Sequence, residues 1–393
     1  MTGQPTVLHL TLASDAGGLS RYIIDLNLAL RERGWNSVVA GDEGVWQDRF
    51  DAAGIEYIHI PLKAGLSGFA KSVGRVREKL AGRRVDLIHT HYRRATQLGR
   101  WLQRSLRSPA NSRPPLLYTL HLSHINVSGL RRLFSDFGDH THCASADARE
   151  WLVSEARVPE GRISLIPHGI DVETYRVTTP DERRAARARF GFADGDVVMC
   201  FVGRLDDPKN EAWLLDVDQA LQNLGVKHVK FLLAGEGPHE AMLKARIEAE
   251  GRAGRVYVLG HQEPLPIYQA SDLLLLPSSR EGFSLVCAEA MSTGIPILRT
   301  RTSGTHELVI ENVTGRSVPI DNVAFTAAAV MLAQDRELLK RLGHGAAEHV
   351  RRYFTFESQV RATQALYDKL TGLKTLGGTG ARLVPSSGTP GEG

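Results

Sequence analysis

The fold of the C-terminal half follows from one stretch of the chain, DLLLLPSSREGFSLVCAEAM, residues 272–291. It starts with a continuous apolar run at 273–276, which is typical of a buried strand in a parallel sheet. Pro277 and Ser278 signal a turn, and the apolar residues after it predict a helix that begins at 283–285. Glu281 and Glu289, separated by seven residues, therefore lie on either side of a strand-to-helix turn.

The chemistry of this turn suits a phosphate group. Backbone N–H groups at the start of a helix have no partner within the helix, and the helix dipole adds partial positive charge there. Gly282, Phe283, Ser284 and Leu285 supply those groups here. The carboxylates on either side can accept hydrogen bonds from sugar hydroxyls. The pattern therefore indicates a site for a nucleotide that carries a sugar.

The stretch resembles the paired-glutamate motif of the retaining glycosyltransferases of family 4, which have the two-lobed GT-B fold. Gly282-Phe283, Glu289-Ala290-Met291 and the closing segment at 294–297 all agree with that motif. The resemblance implies an α/β protein with two doubly wound, Rossmann-like domains that face each other across a cleft. The alternative is an ordinary strand and helix with two surface glutamates.

Strand-like and helix-like segments alternate along the chain in two series, which predicts two parallel sheets covered by helices. The predicted strands are 7–12, 37–40, 57–60, 85–90, 115–121, 140–144 and 163–166 in the first series, and 197–202, 229–234, 256–259, 273–277 and 295–298 in the second. We expect an acceptor-side domain at 1–166, a donor domain at 167–354, a helix at 355–374 that crosses back to the first domain, and a disordered tail at 375–393.

A loop after the first strand of the second series carries Gly203, Arg204 and Lys209. The resemblance implies that Arg204 and Lys209 grip the donor diphosphate, because fixed cations stabilise the charge that builds on the leaving phosphate. It also implies that Glu281 orients the donor sugar and that Glu289 holds the ribose hydroxyls. A surface loop with two cations is the alternative.

Further residues match the family in loops after other strands. Gly17 and Gly18 match a glycine loop of the first domain, Gly235 lies in a strand-to-helix turn of the second, and Gly260 with His261 match the loop that contacts the base. The resemblance implies that His121 lines the cleft beside the donor sugar, with His124 as its nearest competitor. These residues complete the predicted set.

Metal binding is the less favoured interpretation of three other patterns. His89 with His91 and His140 with His142 place pairs of imidazoles on one strand face, and residues 216–218 form an Asp-x-Asp sequence. No carboxylate or cysteine accompanies the histidine pairs at ligand spacing, and the aspartates fall in a helical stretch. We expect no metal and no other cofactor.

Composition excludes several classes of protein. The 393 residues suffice for two buried cores, and the three cysteines are too far apart for a CxxC pair, so neither a disulfide framework nor a cysteine metal site is indicated. The N-terminus has no signal-peptide pattern, and no apolar run approaches the ~18–20 residues that span a bilayer. We expect a cytoplasmic protein.

Basic residues are concentrated in one part of the first domain, although the net charge is only +4. The basic block comprises Lys71, Arg75, Arg77, Lys79, Arg83, Arg84, Arg93, Arg94, Arg100, Arg104, Arg107 and Arg113. Such a block can bind anionic lipid headgroups, which would place the protein on the inner face of the membrane. A solvated surface is the equal alternative. Nucleic acid is not expected, since the block has few aromatic residues.

Together these observations predict a retaining glycosyltransferase that moves a hexose-type sugar from a nucleoside diphosphate donor to a glycan or lipid-linked acceptor, in cell-surface polysaccharide or glycolipid synthesis. One alternative is a sugar-nucleotide epimerase of the same fold. The other is a binding protein for nucleotide sugars without catalytic activity, which would be expected to lack one of Arg204, Lys209, Glu281 and Glu289, and the chain has all four.

Overall fold

The computed structural model describes residues 4–13, 18–44, 47–106, 113–122, 125, 127 and 135–375. The chain divides into two units. Unit 1 comprises Met1–Ala144, Ala148–Ile166 and Glu357–Gly393, and unit 2 comprises Ser145–Asp147 and Pro167–Phe356. The predicted tail from residue 376 onward, Gly17 and His124 lie outside the described residues.

The first unit contains a seven-stranded parallel sheet with strand order β3-β2-β1-β4-β5-β6-β7. Its strands are β1 Thr6–Ala13, β2 Asn36–Asp42, β3 Glu56–His59, β4 Leu87–Thr90, β5 Leu116–Leu120, β6 His140–Cys143 and β7 Ile163–Leu165. The helices in this part of the chain are α1 Gly18–Glu32, α2 Gln47–Ala52, α3 Gly65–Lys79, α4 Arg93–Gln103 and α5 Ala146–Ser154.

The second unit contains a six-stranded parallel sheet with strand order β10-β9-β8-β11-β12-β13. Its strands are β8 Val197–Val202, β9 Val229–Ala234, β10 Val256–Val258, β11 Leu273–Leu276, β12 Ile297–Thr300 and β13 Gly315–Val318. The helices are α6 Pro180–Phe190, α7 Trp213–Asn223, α8 Glu240–Ala249, α9 Pro264–Ala270, α10 Leu285–Ser292, α11 Thr305–Leu308, α12 Asn322–Ala333 and α13 Arg336–Tyr353.

A last helix, α14 Phe356–Thr371, belongs to unit 1 from Glu357 onward. Its Tyr367 is buried against Trp35, with ring centroids 5.2 Å apart, and its hydroxyl lies 2.6 Å from Nδ1 of His89. Arg33 forms an ion pair of 2.5 Å with Glu357 at the start of the helix. The helix therefore contributes to the core of unit 1.

Both sheets are parallel throughout, and this explains why their strands are apolar along their whole length. Parallel strands are covered by helices on both faces, so residues on either face are buried. Every residue of β4, β5, β8, β11 and β12 is buried. The predicted fold class, two Rossmann-like α/β domains, is confirmed. No helix among the described residues is long and apolar enough to cross a bilayer.

Candidate functional site

The strand order of unit 2 reverses between β8 and β11, which pair in parallel although they are distant in sequence. Ligands of open α/β sheets bind at such a switch point, beside the carboxyl ends of the strands. The loop after β8 carries Gly203, Arg204 and Lys209, and the loop after β11 carries Glu281. The topology thus brings these two predicted loops to one edge of the sheet.

Lys209 and Glu281 form an ion pair at that edge, with Nζ 2.6 Å from Oε1. The side chains are 24% and 11% exposed, so water screens this pair less than a surface pair. Ser278 donates a second hydrogen bond, of 2.7 Å, to the same carboxylate oxygen. The cation and the sugar-binding carboxylate that the sequence predicted separately are therefore direct partners.

Two hydrogen bonds between residues outside the predicted site hold the two loops together. The Asn210 side chain donates to the carbonyl of Pro277 at 2.9 Å, and the backbone N–H of Ser279 donates to the carbonyl of Pro208 at 2.8 Å. Asn210 has a φ of 53°, a conformation that asparagine tolerates better than most residues. An asparagine next to the lysine was the signal that could have identified this contact.

Gly203, Gly235 and Gly260 lie side by side at the ends of β8, β9 and β10. A Cβ atom on Gly235 would lie only 1.8 Å from the carbonyl oxygen of Gly203, so no other residue fits there. The N–H of Gly235 donates to the carbonyl of Gly260 at 2.8 Å. His261, which follows, is exposed. The glycines therefore allow the backbones of the three loops to approach each other closely.

Helix α10 begins at Leu285, four residues after Glu281 of the ion pair. Ser284 is the N-cap and accepts a hydrogen bond of 3.4 Å from the N–H of Cys287. Phe283 is buried between the rings of His168 and Phe354, whose centroids lie 5.9 and 5.2 Å away. These packing contacts fix the turn that contains Gly282, and Leu285 is the first helical residue.

Glu289 lies inside α10 and is almost wholly buried. Its Oε2 accepts a hydrogen bond of 3.1 Å from the hydroxyl of Tyr268. Burial, together with the nearby Glu289 carboxylate, raises the pKa of Tyr268 well above its usual value, so the phenol remains a donor. That Glu289 contacts ribose hydroxyls stays a prediction.

Arg204 differs from Lys209 in its surroundings. Its side chain is 71% exposed and lies 2.9 Å from Asp206 in an ion pair. An exposed pair of this kind contributes little to stability, typically about 0–1 kcal/mol. The guanidinium can therefore turn toward a bound anion at low cost.

His121, the predicted cleft histidine, belongs to unit 1 and ends a chain of imidazoles. Its Nε2 lies 3.1 Å from Nδ1 of His91, whose Nε2 lies 3.0 Å from Nδ1 of His9. Burial lowers the pKa of His9 and of His121 to about 3, and for His121 the nearby His142 adds to the effect. The imidazoles are therefore neutral near pH 7. Gly18 begins α1.

Among the described residues, the group that could hold a metal ion is His9, His89 and His91, which each bring one nitrogen within 4.8 Å of the others. His140 and His142 do not join them. His140 bonds to the Ser164 hydroxyl at 2.9 Å, and His142 bonds to the carbonyl of Ile166 at 2.8 Å.

Both aspartates of the Asp-x-Asp sequence contact other side chains of the protein. Asp218 is buried in α7 and pairs with Arg252 at 2.5 Å and Arg255 at 3.1 Å. Asp216 accepts a hydrogen bond of 2.8 Å from Asn322. Because both carboxylates already have partners within the protein, this sequence is not a good metal site.

Several arginines of the basic block have acidic partners, most of them outside its own stretch of sequence. Arg83 pairs with Glu56 at 2.7 Å, and Arg100 pairs with Asp136 at 2.9 Å and Asp139 at 2.5 Å. Arg84 pairs with Asp86 at 2.6 Å. Lys71, Arg75, Arg77 and Lys79 remain as an exposed basic group on α3. The charge available to a membrane is therefore smaller than the sequence suggests, and Arg107 lies outside the described residues.

Two family models match the chain. Residues 182–349 match the family described as glycosyl transferases group 1, and residues 16–174 match the family described as glycosyltransferase family 4. The two matches together cover most of both units.

Similar proteins include two named D-inositol 3-phosphate glycosyltransferase. The protein from Geodermatophilus obscurus is 27% identical over 421 residues, with 95% of this chain and 89% of the relative covered. The protein from Nocardia farcinica is 29% identical over 378 residues, with 85% and 81% covered.

Two solved structures share the fold of the chain. Anabaena HepE, solved in complex with UDP-glucose, has a TM-score of 0.78 at 22% identity, and 94% of this chain and all of HepE, 100%, are covered. Sucrose-phosphate synthase from Thermosynechococcus elongatus has a TM-score of 0.79 at 19% identity, with 94% and 100% covered.

Proposed function

The chain belongs to the glycosyltransferases of group 1 and family 4, which have the GT-B fold, and from this we propose that it is a retaining hexosyltransferase that uses a nucleoside diphosphate sugar. The observation that carries the proposal is the Lys209–Glu281 pair of 2.6 Å beside the N-terminus of α10. A cation, a carboxylate and free N–H groups meet there, and these are the groups that a diphosphate and its sugar require.

The residues have distinct roles in the proposed reaction. Lys209 and Arg204 neutralise the negative charge that grows on the diphosphate as the bond from its oxygen to the sugar breaks. Glu281, held by Lys209 and Ser278, accepts hydrogen bonds from the donor sugar and fixes its orientation. The departing phosphate oxygen takes the proton of the acceptor hydroxyl on the same face of the sugar, so the anomeric configuration is retained.

Two observations bear on the substrates. HepE was solved with UDP-glucose, which makes a uridine donor the first choice for assay. The acceptor is a glycan or a lipid-linked sugar in our proposal. The names of the relatives favour a second candidate, a small phosphorylated polyol such as inositol 3-phosphate.

Transfer is expected to proceed in EDTA and to retain configuration, because side chains and a helix terminus neutralise the phosphates without a metal. Purified protein would be incubated with α-linked UDP, ADP and GDP sugars and a panel of both acceptor classes. Release of nucleoside diphosphate reports turnover, and the proton NMR coupling of the new anomeric centre reports configuration. A β-linked product, or a strict Mg²⁺ requirement, would contradict the proposal. A new sugar nucleotide formed without acceptor would favour the epimerase.

Reversible, salt-sensitive binding to anionic vesicles is expected if the acceptor is lipid-linked. Lys71, Arg75 and Lys79 on α3 are exposed, and exposed charges are screened beyond ~8–10 Å at physiological salt. Cosedimentation with phosphatidylglycerol vesicles should fall from low to high salt, and the K71E/R75E/K79E variant should lose it. Negligible binding of the wild type at both salt concentrations would favour a soluble acceptor.

A further inference from the structure

Arg299 in β12 is a fully buried cation, 0% exposed, whose described partners are all uncharged. Its guanidinium donates to Oγ1 of Thr302 at 2.7 Å and to the carbonyls of Ser303 at 3.1 Å and Gly304 at 3.4 Å. Its Nε, also buried, has no hydrogen-bond partner within the described part of the chain. Burial of a charge without an opposite charge is costly, so this arrangement requires a reason.

The loop that Arg299 holds, residues 302–304, is in backbone contact with the phosphate-binding turn. Gly304 has a φ of 76°, and a Cβ atom there would lie 2.7 Å from the carbonyl oxygen of Gly282 and 2.9 Å from the Cα of Phe283. Any displacement of the loop toward α10 therefore moves the turn. The guanidinium holds the loop by donating hydrogen bonds to three acceptors in it.

The charge of Arg299 also acts on the first turn of α10. Burial raises the pKa of the Cys287 thiol, and Arg299 is the leading influence that opposes this rise. Cys287 donates its backbone N–H to the N-cap Ser284, so the thiol that this charge influences belongs to the first turn of α10. A bound diphosphate would place negative charge near this cation.

We propose that Arg299 is a positioning residue that holds the Thr302–Gly304 loop against the Gly282–Phe283 turn and so keeps the N–H groups at the start of α10 in place for the donor diphosphate. The inference rests on the proposed function. The hydroxyl of Thr302 is one of the acceptors that Arg299 uses.

The contact between loop and turn is tested with Gly304→Ala, for which the chain offers a matched control. Gly225 has nearly the same φ, 74° against 76° for Gly304, but a Cβ atom there would meet nothing within 4 Å. Both substitutions impose the same backbone strain, and only Gly304→Ala pushes on the turn. Calorimetric titration with UDP, ADP and GDP is expected to show affinity at least about tenfold weaker in Gly304→Ala and unchanged in Gly225→Ala.

The guanidinium itself is tested with Arg299→Lys, which keeps the charge but cannot reach three acceptors in a fixed fork. We expect diphosphate affinity about tenfold weaker, a higher KM for the donor, and no rescue relative to Arg299→Met. Thermal unfolding shows whether the Arg299 variants fold, and if they do not, Gly304→Ala decides. If the wild type binds a diphosphate and Gly304→Ala and Arg299→Lys bind it equally well, the positioning role is wrong. If the wild type binds no nucleoside diphosphate, both the proposed function and this positioning role are wrong.

Discussion

Replacement of Lys209 by alanine is expected to lower turnover about a hundredfold, which corresponds to ~2.7 kcal/mol of lost transition-state stabilisation. The reason is twofold. The variant loses a cation beside the leaving phosphate, and it leaves Glu281, whose side chain is 11% exposed, as a carboxylate without its 2.6 Å ion-pair partner. An unpaired carboxylate near a diphosphate repels it. Steady-state kinetics with saturating donor and acceptor measure the loss.

Arg204→Ala and Lys244→Ala separate catalysis from stability in this experiment. Arg204 is 71% exposed, so its removal should cost a similar factor in turnover with no change in thermal stability. Lys209→Ala should also lower the unfolding temperature, since it breaks a largely buried pair. Lys244 forms an ion pair of the same 2.6 Å length with Glu240 on an exposed helix, and its replacement should change neither property. Near-normal turnover in Lys209→Ala would contradict the assignment of a diphosphate clamp.

Unit 1 is expected to lose stability steeply between pH 7 and pH 5. Burial keeps His9, His89, His91 and His142 neutral in the folded protein, with the pKa of His9 lowered to about 3, that of His142 to about 4, and those of His89 and His91 well below the usual value. His121 is only partly buried, so it contributes less to this effect.

The sign of the effect follows from the direction of these shifts. Below about pH 6.5 the unfolded chain binds protons at these histidines and the folded chain does not, so the free energy of unfolding falls as the pH falls. Well below pH 6.5 each such histidine lowers the free energy of unfolding by about 1.4 kcal/mol per pH unit, so the four together remove several kcal/mol between pH 7 and pH 5.5. That is comparable with the whole stability of many domains.

Thermal unfolding at a series of pH values between 7.5 and 5 tests this expectation. His142→Gln should reduce the slope of unfolding temperature against pH, whatever it does to stability at pH 7.5. His344→Gln is the control, because its side chain is 78% exposed, and should leave the slope unchanged. An unfolding temperature that stays constant from pH 7.5 to 5.5 would mean that the cluster is hydrated or already protonated.

The sequence predicts the sheets well because a buried parallel strand appears in the sequence as a continuous run of apolar residues. The runs at 197–202 and 273–277 correspond to β8 and β11, and the turn that carries Glu281 follows directly. The strand that the sequence analysis missed is β13, whose Gly-Arg-Ser-Val sequence is mostly not apolar. It lies at the edge of its sheet and pairs with β12 alone, so it needs no apolar residues on both faces.

Contacts between distant segments could not be predicted in the same way. The pairing of Lys209 with Glu281 depends on which strands are neighbours, and the sequence pattern does not specify strand order. The partners of Arg83 and Arg100 likewise come from other segments. For this reason the basic block looked unpaired in the sequence although several of its charges are neutralised.

The histidine cluster shows what strand register adds. The sequence spacing pairs His89 with His91 but does not link them to His9, although His9 lies in a similar apolar run in β1. Strands β1 and β4 are neighbours, and His9 is the register partner of His89. Both β1 and β4 carry a histidine within an apolar strand, and this is visible in the sequence. That the two histidines are neighbours follows only once the two strands are known to pair.

The most direct test of the central claim is calorimetric titration of the whole protein, in EDTA, with nucleoside diphosphates and their sugars, alongside the Arg204→Ala/Lys209→Ala variant. We expect one base to be preferred, with one site per chain, and we expect the double variant to lose at least about a hundredfold in affinity for the diphosphate. Absence of binding by the wild type to every nucleotide, or equal binding by the double variant, would contradict the claim that the loops after β8 and β11 form the donor site.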